Sequence, residues 1–490
     1  MLVYAVDVGT TNVKVVLYDD GLRRLATASA AAEYDREGDR VEFDPSRLFD
    51  IVVGLIGDCA RTYGDVTGHE AVIVVTGQAE SLILVDRHGD PVRPGMSWLD
   101  DRATAEVDEL AANFDPDDAF ATTGEPSPSA TWPAAKLRWL AKHEPATLES
   151  TRWVLMVKDE LVRRFTGTAF GEETTRGFTY LWDVRNRRYW DDMLDFCSVP
   201  VDTLAPVVPA GTEVGRVTED ARRRLPDALD YHVNVGALDH FCAMVGTGSY
   251  RPNSVSESAG TVLSLSMLAS DWTFSPKRKV SFHAGLRLDD VVLFNGIDAG
   301  GAALDWYRRE GLDNLAYDAL ERELTSRNHR DAPIFLPYLT GVNPPDYYSD
   351  AKGAFLELTL GHDRFDMAFA VEEGVAHLLR RNIDDLAFGS VREIVSTGGG
   401  ASSPFWTQLK ADVCGVDVLV PAEQEATCRG AAVLALVARG VLGGLEDAND
   451  LARPPISRFA ATPSTVRRVR YHRFCNYLDR LFGGPAMEVS

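Results

Sequence analysis

The sequence predicts an α/β protein of two similar halves, each aiming a hairpin at a shared cleft. Two observations predict it. A strand-like run that turns at Gly-Thr and re-enters a strand-like run occurs at residues 2–18 and again at 255–267. Around both, short apolar runs alternate with amphipathic helical stretches, the pattern of layered α/β domains. The 490 residues, 45% of them apolar, are enough for more than one core.

In the first half, residues 2–8 and 13–18 flank Gly9-Thr10-Thr11-Asn12, which predicts a hairpin. Residues 46–62 carry Leu48, Val52, Leu55, Ile56 and Cys59 along one side, which predicts a helix. Residues 71–75 read as a buried strand ending at Thr76-Gly77. Short strands are expected at 81–86 and 92–97 around the turn His88-Gly89-Asp90, and helices at 102–112 and 134–142 with a loop at 124–129 between them. Residues 212–232 are charged and turn-rich. Residues 233–237 then lead into Leu238-Asp239-His240, and 240–248 have the spacing of a helix closed by Gly246 and Gly248.

The boundary is placed near Tyr250-Arg251-Pro252-Asn253. This divides the chain into an N-terminal domain (1–250), a C-terminal domain (251–440) and a C-terminal extension (441–490). In the second half, a hairpin at 255–267 is followed by a long helix at 366–388 and a strand at 391–396 that enters Ser396-Thr397-Gly398-Gly399-Gly400-Ala401. Helices are expected at 404–414 and 428–439. The basic, aromatic end (Arg467, Arg468, Tyr471, Arg473, Tyr477) reads as a helix face, with a homodimer contact as the sharper alternative. No repeat with a period of about 20–50 residues points to a solenoid.

Composition excludes several function classes. Fifty basic residues against 73 acidic ones give a net charge of −23, a field that repels nucleic acid and anionic membranes. An anionic ligand would therefore need its own local cradle. The six cysteines form no CxxC pair and read as reduced thiols of a cytoplasmic protein. The first residues carry Asp7 inside their apolar stretch, unlike a signal peptide, and no apolar run approaches a membrane span. The histidines do not cluster at zinc-ligand spacing, Ser81 lies in no GxSxG, and neither a Walker A motif nor GxGxxG occurs. Trp132, Trp139, Trp153, Trp182 and Trp190 fall in apolar patterns and read as packing residues.

The segment Asp7-Val8-Gly9-Thr10-Thr11-Asn12-Val13-Lys14 has the parts of a polyphosphate cradle. Gly9 lets backbone amides approach phosphate oxygens, Thr10 and Thr11 add hydroxyl donors, and Lys14 adds charge. Asp7, at the end of a strand, is placed to hold Mg²⁺ directly or through water. Ser258-Ala259-Gly260-Thr261 offers similar chemistry from the second half. The bare backbone of Gly398-Gly399-Gly400 leaves room for a flat ring such as adenine.

Taken in order, these segments resemble the FGGY family of carbohydrate kinases. DVGTTNVK resembles its first phosphate motif, and TGQAESLILVDRHGDPVRPGMSWLDDR its sugar-side segment, ending in W-x-D-x-R. VGALDHFCAMVGTG resembles the catalytic-aspartate segment, SAGT the second phosphate motif and DAGGAALDWYR (298–308) a nucleotide-side loop. The region from LPYLTG to LLRRNID resembles the second signature, and STGGGASSPFWTQLKADVCG the adenosine motif. The match runs from about residue 3 to 440.

The resemblance implies two ribonuclease-H-like domains of the actin-like ATPase type flanking an ATP/sugar cleft. It also implies transfer of phosphate from ATP, with Mg²⁺, to a sugar or polyol. It casts Asp239 as the general base, and Ala79, Glu80, Trp98, Asp100, Arg102, Asp239 and His240 as acceptor contacts. Gly9, Thr10, Thr11, Lys14, Gly260, Thr261, Gly301, Asp305, Gly399, Gly400 and Ala401 fall on the ATP side, and Asp7 on the metal.

The acceptor residues depart from the family's patterns. Xylulokinases usually read Met-His where this chain has Ala79-Glu80, and glycerol kinases Arg-Glu; His240 replaces the commoner Asn or Gln. A pentulose such as xylulose is the leading acceptor. Gluconokinase-, fuculokinase- and glycerol kinase-like acceptors stay open, as does a non-catalytic sugar- or nucleotide-binding sensor of the same fold. An actin-like or chaperone ATPase is opposed by the sugar-side segment with Glu80 and Trp98.

Overall fold

The computed structural model describes residues 1–269, 272, 279–297, 299–339, 345–348, 351–386, 391–423, 425–449 and 455–483. Asp298 and parts of the second signature-like region (340–344, 349–350) and of the C-terminal extension (450–454, 484–490) lie outside the described residues.

The first half is built on strands β1 (Leu2–Val8), β2 (Asn12–Asp19), β3 (Arg24–Ala31), β4 (Glu70–Gly77), β5 (Glu213–Arg216) and β6 (Asp230–Asn234), in the spatial order β5-β6-β4-β1-β2-β3. β1 pairs antiparallel with β2 from Leu2↔Asp19 to Val8↔Val13, and parallel with β4 from Leu2↔Ala71 to Val8↔Gly77. Side chains alternate across a strand. Leu2, Tyr4, Val6 and Val8 therefore enter a core with helices α1 (Pro45–Tyr63) and α2 (Val157–Thr166), while Val3 and Ala5 enter a core on the other face. Helix α1 begins where Asp44 accepts from the Ser46 and Arg47 amides and Pro45 supplies a preset φ.

The second half holds β7 (Ser254–Ala259), β8 (Leu263–Ala269), β9 (Ser281–Ala284), β10 (Val291–Ile297), β11 (Glu393–Thr397), β12 (Asp417–Pro421) and β13 (Ile456–Phe459), in the order β9-β10-β8-β7-β11-β12-β13. Position for position, β7, β8, β10, β11 and β12 repeat β1, β2, β3, β4 and β6. Each sequence closes with a helix: α3 (Asp239–Thr247) after β6, and later α7 (Ala426–Ala438) after β12. Between them lie α4 (Gly301–Gly311), α5 (Arg364–Leu386) and α6 (Pro404–Cys414). The duplicated α/β halves and both hairpins agree with the expectation.

Helix α7 lies in the 251–440 segment, yet Ala431, Ala432 and Leu434 share a core with Val3, Ala5 and Val74 of the first sheet and with Phe241 and Met244 of α3. The helix pair α3/α7 is thus the central contact between the halves. It explains Gly246. That glycine was expected to close the helix, but Gly248 does so, at φ +77°. Gly246 sits inside α3, where a Cβ would lie 1.9 Å from the Ala426 carbonyl oxygen; across the crossing, a Cβ on Gly430 would lie 1.7 Å from that of Cys242.

Helix α8 (Thr465–Phe482) is built into the second half. Phe474 and Leu478 enter its core, and Arg467 and Arg470 pair with the buried Glu373 of α5. Among the described residues no helix is long and apolar enough to cross a membrane.

Candidate active site

Between the halves lies a cavity of about 710 Å³. Asp7, Lys14, Asp239 and His240 line it from the first half, and Ser258, Thr397, Gly398, Gly399 and Ala401 from the second. The two chain segments expected to hold opposite ends of a nucleotide therefore face one space.

Asp239 is the first residue of α3, and its position is braced by the sheet below. Gly236, at φ +61°, lets the chain pass where a Cβ would meet the Val75 carbonyl oxygen at 2.1 Å. Thr76 Oγ1 then donates to the Ala237 carbonyl (2.9 Å), and the Leu238 amide donates to Thr174 Oγ1 (2.8 Å). Thr174 is bonded to Glu172, which is paired with Lys158 at 2.8 Å in full burial. The Asp239 carboxylate remains partly open to the cavity and accepts from the His240 amide at 2.6 Å. The His240 ring lies 4.0 Å from it and packs against Phe294.

Asp7, the last but one residue of β1, lines the same cavity. Burial, reinforced by the charge of Asp239, pushes its pKa up to about 7. Lys14 opposes this rise, but its ammonium is paired with Glu425 Oε2 at 2.6 Å. Lys14 is thus not the free phosphate cation that was expected, and Glu425 is a cleft residue the sequence reading missed. Among the described residues no group of three or more His, Cys, Asp or Glu is arranged to hold a metal. A cation at Asp7 would have to take its remaining ligands from phosphate and water, the donor set of a hard cation.

Because its pKa is raised, Asp7 is mostly protonated below about pH 7 and ionised above it. Mg²⁺-dependent ATP binding is therefore expected to weaken as pH falls through that value. The Asp7→Asn variant should lack this limb, as titration calorimetry from about pH 6 to 8.5 would read. An identical pH dependence in both proteins would remove Asp7 from the metal site.

The hairpin tips stand at the rim rather than in the cavity lining. Thr10 Oγ1 accepts from the Trp98 indole at 2.9 Å, joining the phosphate hairpin to the acceptor-side segment; Thr11 and Thr261 are exposed. The Gly260 and Thr261 carbonyls accept the Gly301 and Ala302 amides at 2.9 and 3.1 Å, so the start of α4 holds the second hairpin. A Cβ on Gly301 would come within 2.7 Å of the Gly260 oxygen, which is a packing reason for that glycine. Asp305, one turn on, points to solvent and bonds to the Tyr317 hydroxyl instead of facing the cleft. Gly399 has open space around it, whereas Gly400 packs on Ala259 and Trp406.

On the acceptor side, residues 78–81 form a tight turn. The Ser81 amide bonds to the Ala79 carbonyl (2.8 Å), and Glu80 is held at φ +63°, a conformation unusual for a residue with a side chain. Ser81 Oγ donates to Gln78 and accepts the Trp98 amide at 3.0 Å, fixing the turn to Trp98. Ala79 is buried and packs. Burial and the Asp239 charge raise the Glu80 pKa; the opposing cation is Lys136, itself fully buried and donating to the Thr131 carbonyl at 2.6 Å. Lys136 was overlooked. Its place four residues before Leu140, on the apolar face of helix Pro133–His143, was the available signal.

Asp100 and Arg102 are not open to an acceptor. Asp100 is fully buried, accepts the Val41 amide at 2.7 Å and pairs with Arg102, which also binds Glu42 at 2.6 Å and lies over Trp139. A buried carboxylate must be paired, and here Asp100 is committed to the Val41 amide and Arg102, and Arg102 to Asp100 and Glu42.

Comparison with known proteins agrees with this geometry. Residues 2–246 match the N-terminal domain of the FGGY family of carbohydrate kinases, and residues 267–439 its C-terminal domain. A xylulose kinase of Staphylococcus epidermidis is 26% identical over 450 residues (90% of this chain, 88% of that protein). A gluconokinase of Bacillus subtilis is 22% identical over 464 residues (91% and 89%). The crystal structure of a ligand-bound xylulose kinase from Lactobacillus acidophilus superposes with a TM-score of 0.91 at 22% identity (98% and 99%). The fold is the two-domain, actin-like ATPase architecture that the family resemblance implies.

Proposed function

The chain belongs to the FGGY family of carbohydrate kinases, and we propose that its acceptor is a pentulose, with xylulose the leading member. As a carbohydrate kinase it uses ATP as phosphate donor. The observation that carries the finer reading is the placement of Asp239: it opens into the cavity shared by Asp7 and the 397–401 loop, with Glu80 close enough to feel its charge.

In this reading Asp239 accepts the proton of the acceptor hydroxyl as that oxygen attacks the γ-phosphorus, and ADP leaves. Phosphoryl transfer asks chiefly for positioning and charge stabilisation. The Gly9–Thr10 and Gly260–Thr261 hairpins close on the phosphates from opposite sides, and Gly399 leaves space for the nucleoside. Glu80 accepts from acceptor hydroxyls, and Trp98, tethered to Thr10, forms a wall. Mg²⁺, held through Asp7, supplies charge neutralisation at the phosphates when bound. Closure of the halves excludes water and limits hydrolysis of ATP.

The Asp239 carboxylate, whose charge reaches both Asp7 and Glu80, favours a neutral, hydroxyl-rich acceptor over an anion. A gluconate reading is favoured by one observation, the buried cation Lys136. Six free cysteines, four of them buried, fit a reducing, cytoplasmic setting.

Phosphorus NMR of the enzyme with Mg·ATP and, separately, D-xylulose, gluconate and glycerol tests the proposal. A new phosphomonoester signal forming at least about tenfold faster with D-xylulose is expected, the discrimination that a few well-placed polar contacts provide. A faster signal with gluconate would overturn the pentulose reading.

A further inference from the structure

Away from the phosphate side, the halves meet at a second place. Strand β9 of the second half lies against first-half backbone, where the Phe282 amide donates to the Gly124 carbonyl at 2.9 Å. Gly124 stands at φ +79°, and a Cβ there would lie 2.0 Å from the Phe282 carbonyl oxygen. On the other side, a Cβ on Gly177 would fall 2.5 Å from His283 Nδ1, and the imidazole stacks on Phe178 with 4.0 Å between centroids. The strand is gripped between two first-half glycines that have no room for a side chain.

Glu125 points into this contact and is 3% exposed. Ser281 Oγ donates to its Oε2 at 2.8 Å, and His283 Nε2 lies 3.3 Å from its Oε1. Burial lowers the His283 pKa to about 3, so the ring is neutral. Burial also raises the Glu125 pKa well above the usual carboxylate range, with Glu80 adding to the rise and Ser281 opposing it. Tyr180, beside it, is raised by burial and by Glu125. Ionising a carboxyl in such surroundings, with one hydroxyl donor, is strongly unfavourable.

We propose that Glu125 is a positioning residue that, as a neutral carboxylic acid, clasps strand β9 to the 124–129 loop of the first half and so holds the second half in register with Glu80 and Asp239. The neutral acid directs its proton from Oε1 to His283 Nε2 while Oε2 accepts from Ser281, which satisfies two atoms otherwise left unpaired in full burial. A carboxyl whose folded pKa lies above its unfolded value stabilises the folded contact at low pH, and that contribution is lost as pH rises through the folded value. The clasp goes beyond the acceptor reading and needs no named acceptor.

The test compares wild type, Glu125→Gln and Glu125→Ala from about pH 6 to 9.5. Amide hydrogen exchange of the 281–284 peptide is referenced to the intrinsic rate at each pH, and KM values are measured for D-xylulose and ATP. The Gln variant should keep wild-type protection within about twofold at the acid end, and the Ala variant should lose about tenfold, as expected for unpaired buried partners. Wild-type protection should fall toward alkaline pH while that of the Gln variant holds. The KM for D-xylulose should follow protection, with the KM for ATP unmoved. Loss in the Gln variant equal to that in the Ala variant would make the ionised carboxylate the holding form and overturn the proposal. So would an alkaline fall shared by the Gln variant, or an unmoved KM for D-xylulose where protection is lost. If wild type does not turn over D-xylulose, the acceptor reading fails and the exchange data still decide the clasp.

Discussion

Asp239→Asn is expected to lower turnover with the acceptor by about a thousandfold, the range that loss of a general base gives. At about pH 8.5, where Asp7 is ionised in both proteins, ATP affinity should stay within about twofold, because binding the donor does not require the base. The asparagine keeps the shape of the carboxylate and its Oδ1, so the bond to the His240 amide at 2.6 Å and the start of α3 survive. What changes is charge. Asp7 loses the neighbour that raises its pKa, and its titration should move down from about 7. Coupled ADP-release kinetics with calorimetry for ATP measures both, and unchanged turnover would remove Asp239 as the base.

Gly430→Ala is expected to destabilise the protein by about 3 kcal/mol, the upper part of the overpacking range, because backbone on the facing helix cannot move aside. The new Cβ would lie 1.7 Å from the Cys242 carbonyl oxygen. The helix-propensity gain of Gly→Ala, about 1 kcal/mol, does not outweigh this. Helix α3 carries Asp239 at its first turn, so separating the helices should also lower turnover more than ATP affinity. Gly54→Ala in α1 is the matched control: nothing lies within 4 Å of that Cβ, and the variant should be as stable as wild type or more so. Denaturant unfolding of both variants checks this, and equal stabilities would show that the crossing has slack.

Elements whose character is local were legible in the sequence. Leu2–Val6 and Ala71–Val75 are continuous apolar runs because both faces of the first sheet are covered, and the hairpins announce themselves through glycine. Asp230–Asn234 was hidden in a charged stretch. Only Tyr231 and Val233 of its first four residues are fully buried, and its strand character comes from pairing with β4. Strand Ser281–Ala284 is only four residues long and half polar, and its strand character comes from pairing with β10.

The candidate site divides in the same way. The residue types at Asp7, Glu80 and Asp239 pointed to their chemistry. Which charges cancel is a matter of tertiary structure. Lys14 meets Glu425 across 411 positions, and Asp100 and Arg102 pair with each other. Lys136 drew no reading and Gly246 reads as a helix terminator, because a one-dimensional pattern carries no information about the opposing face.

The most direct test of the account is acceptor-dependent ADP release by the wild-type enzyme with Mg·ATP. The panel is D-xylulose, L-xylulose, D-ribulose, L-ribulose, L-fuculose, gluconate, glycerol and erythritol, at low and high salt. The account predicts one pentulose whose rate exceeds the acceptor-free rate by at least about a hundredfold, as positioning and base catalysis together require. A flat panel at both salt concentrations, with ATP binding confirmed by calorimetry, would contradict it.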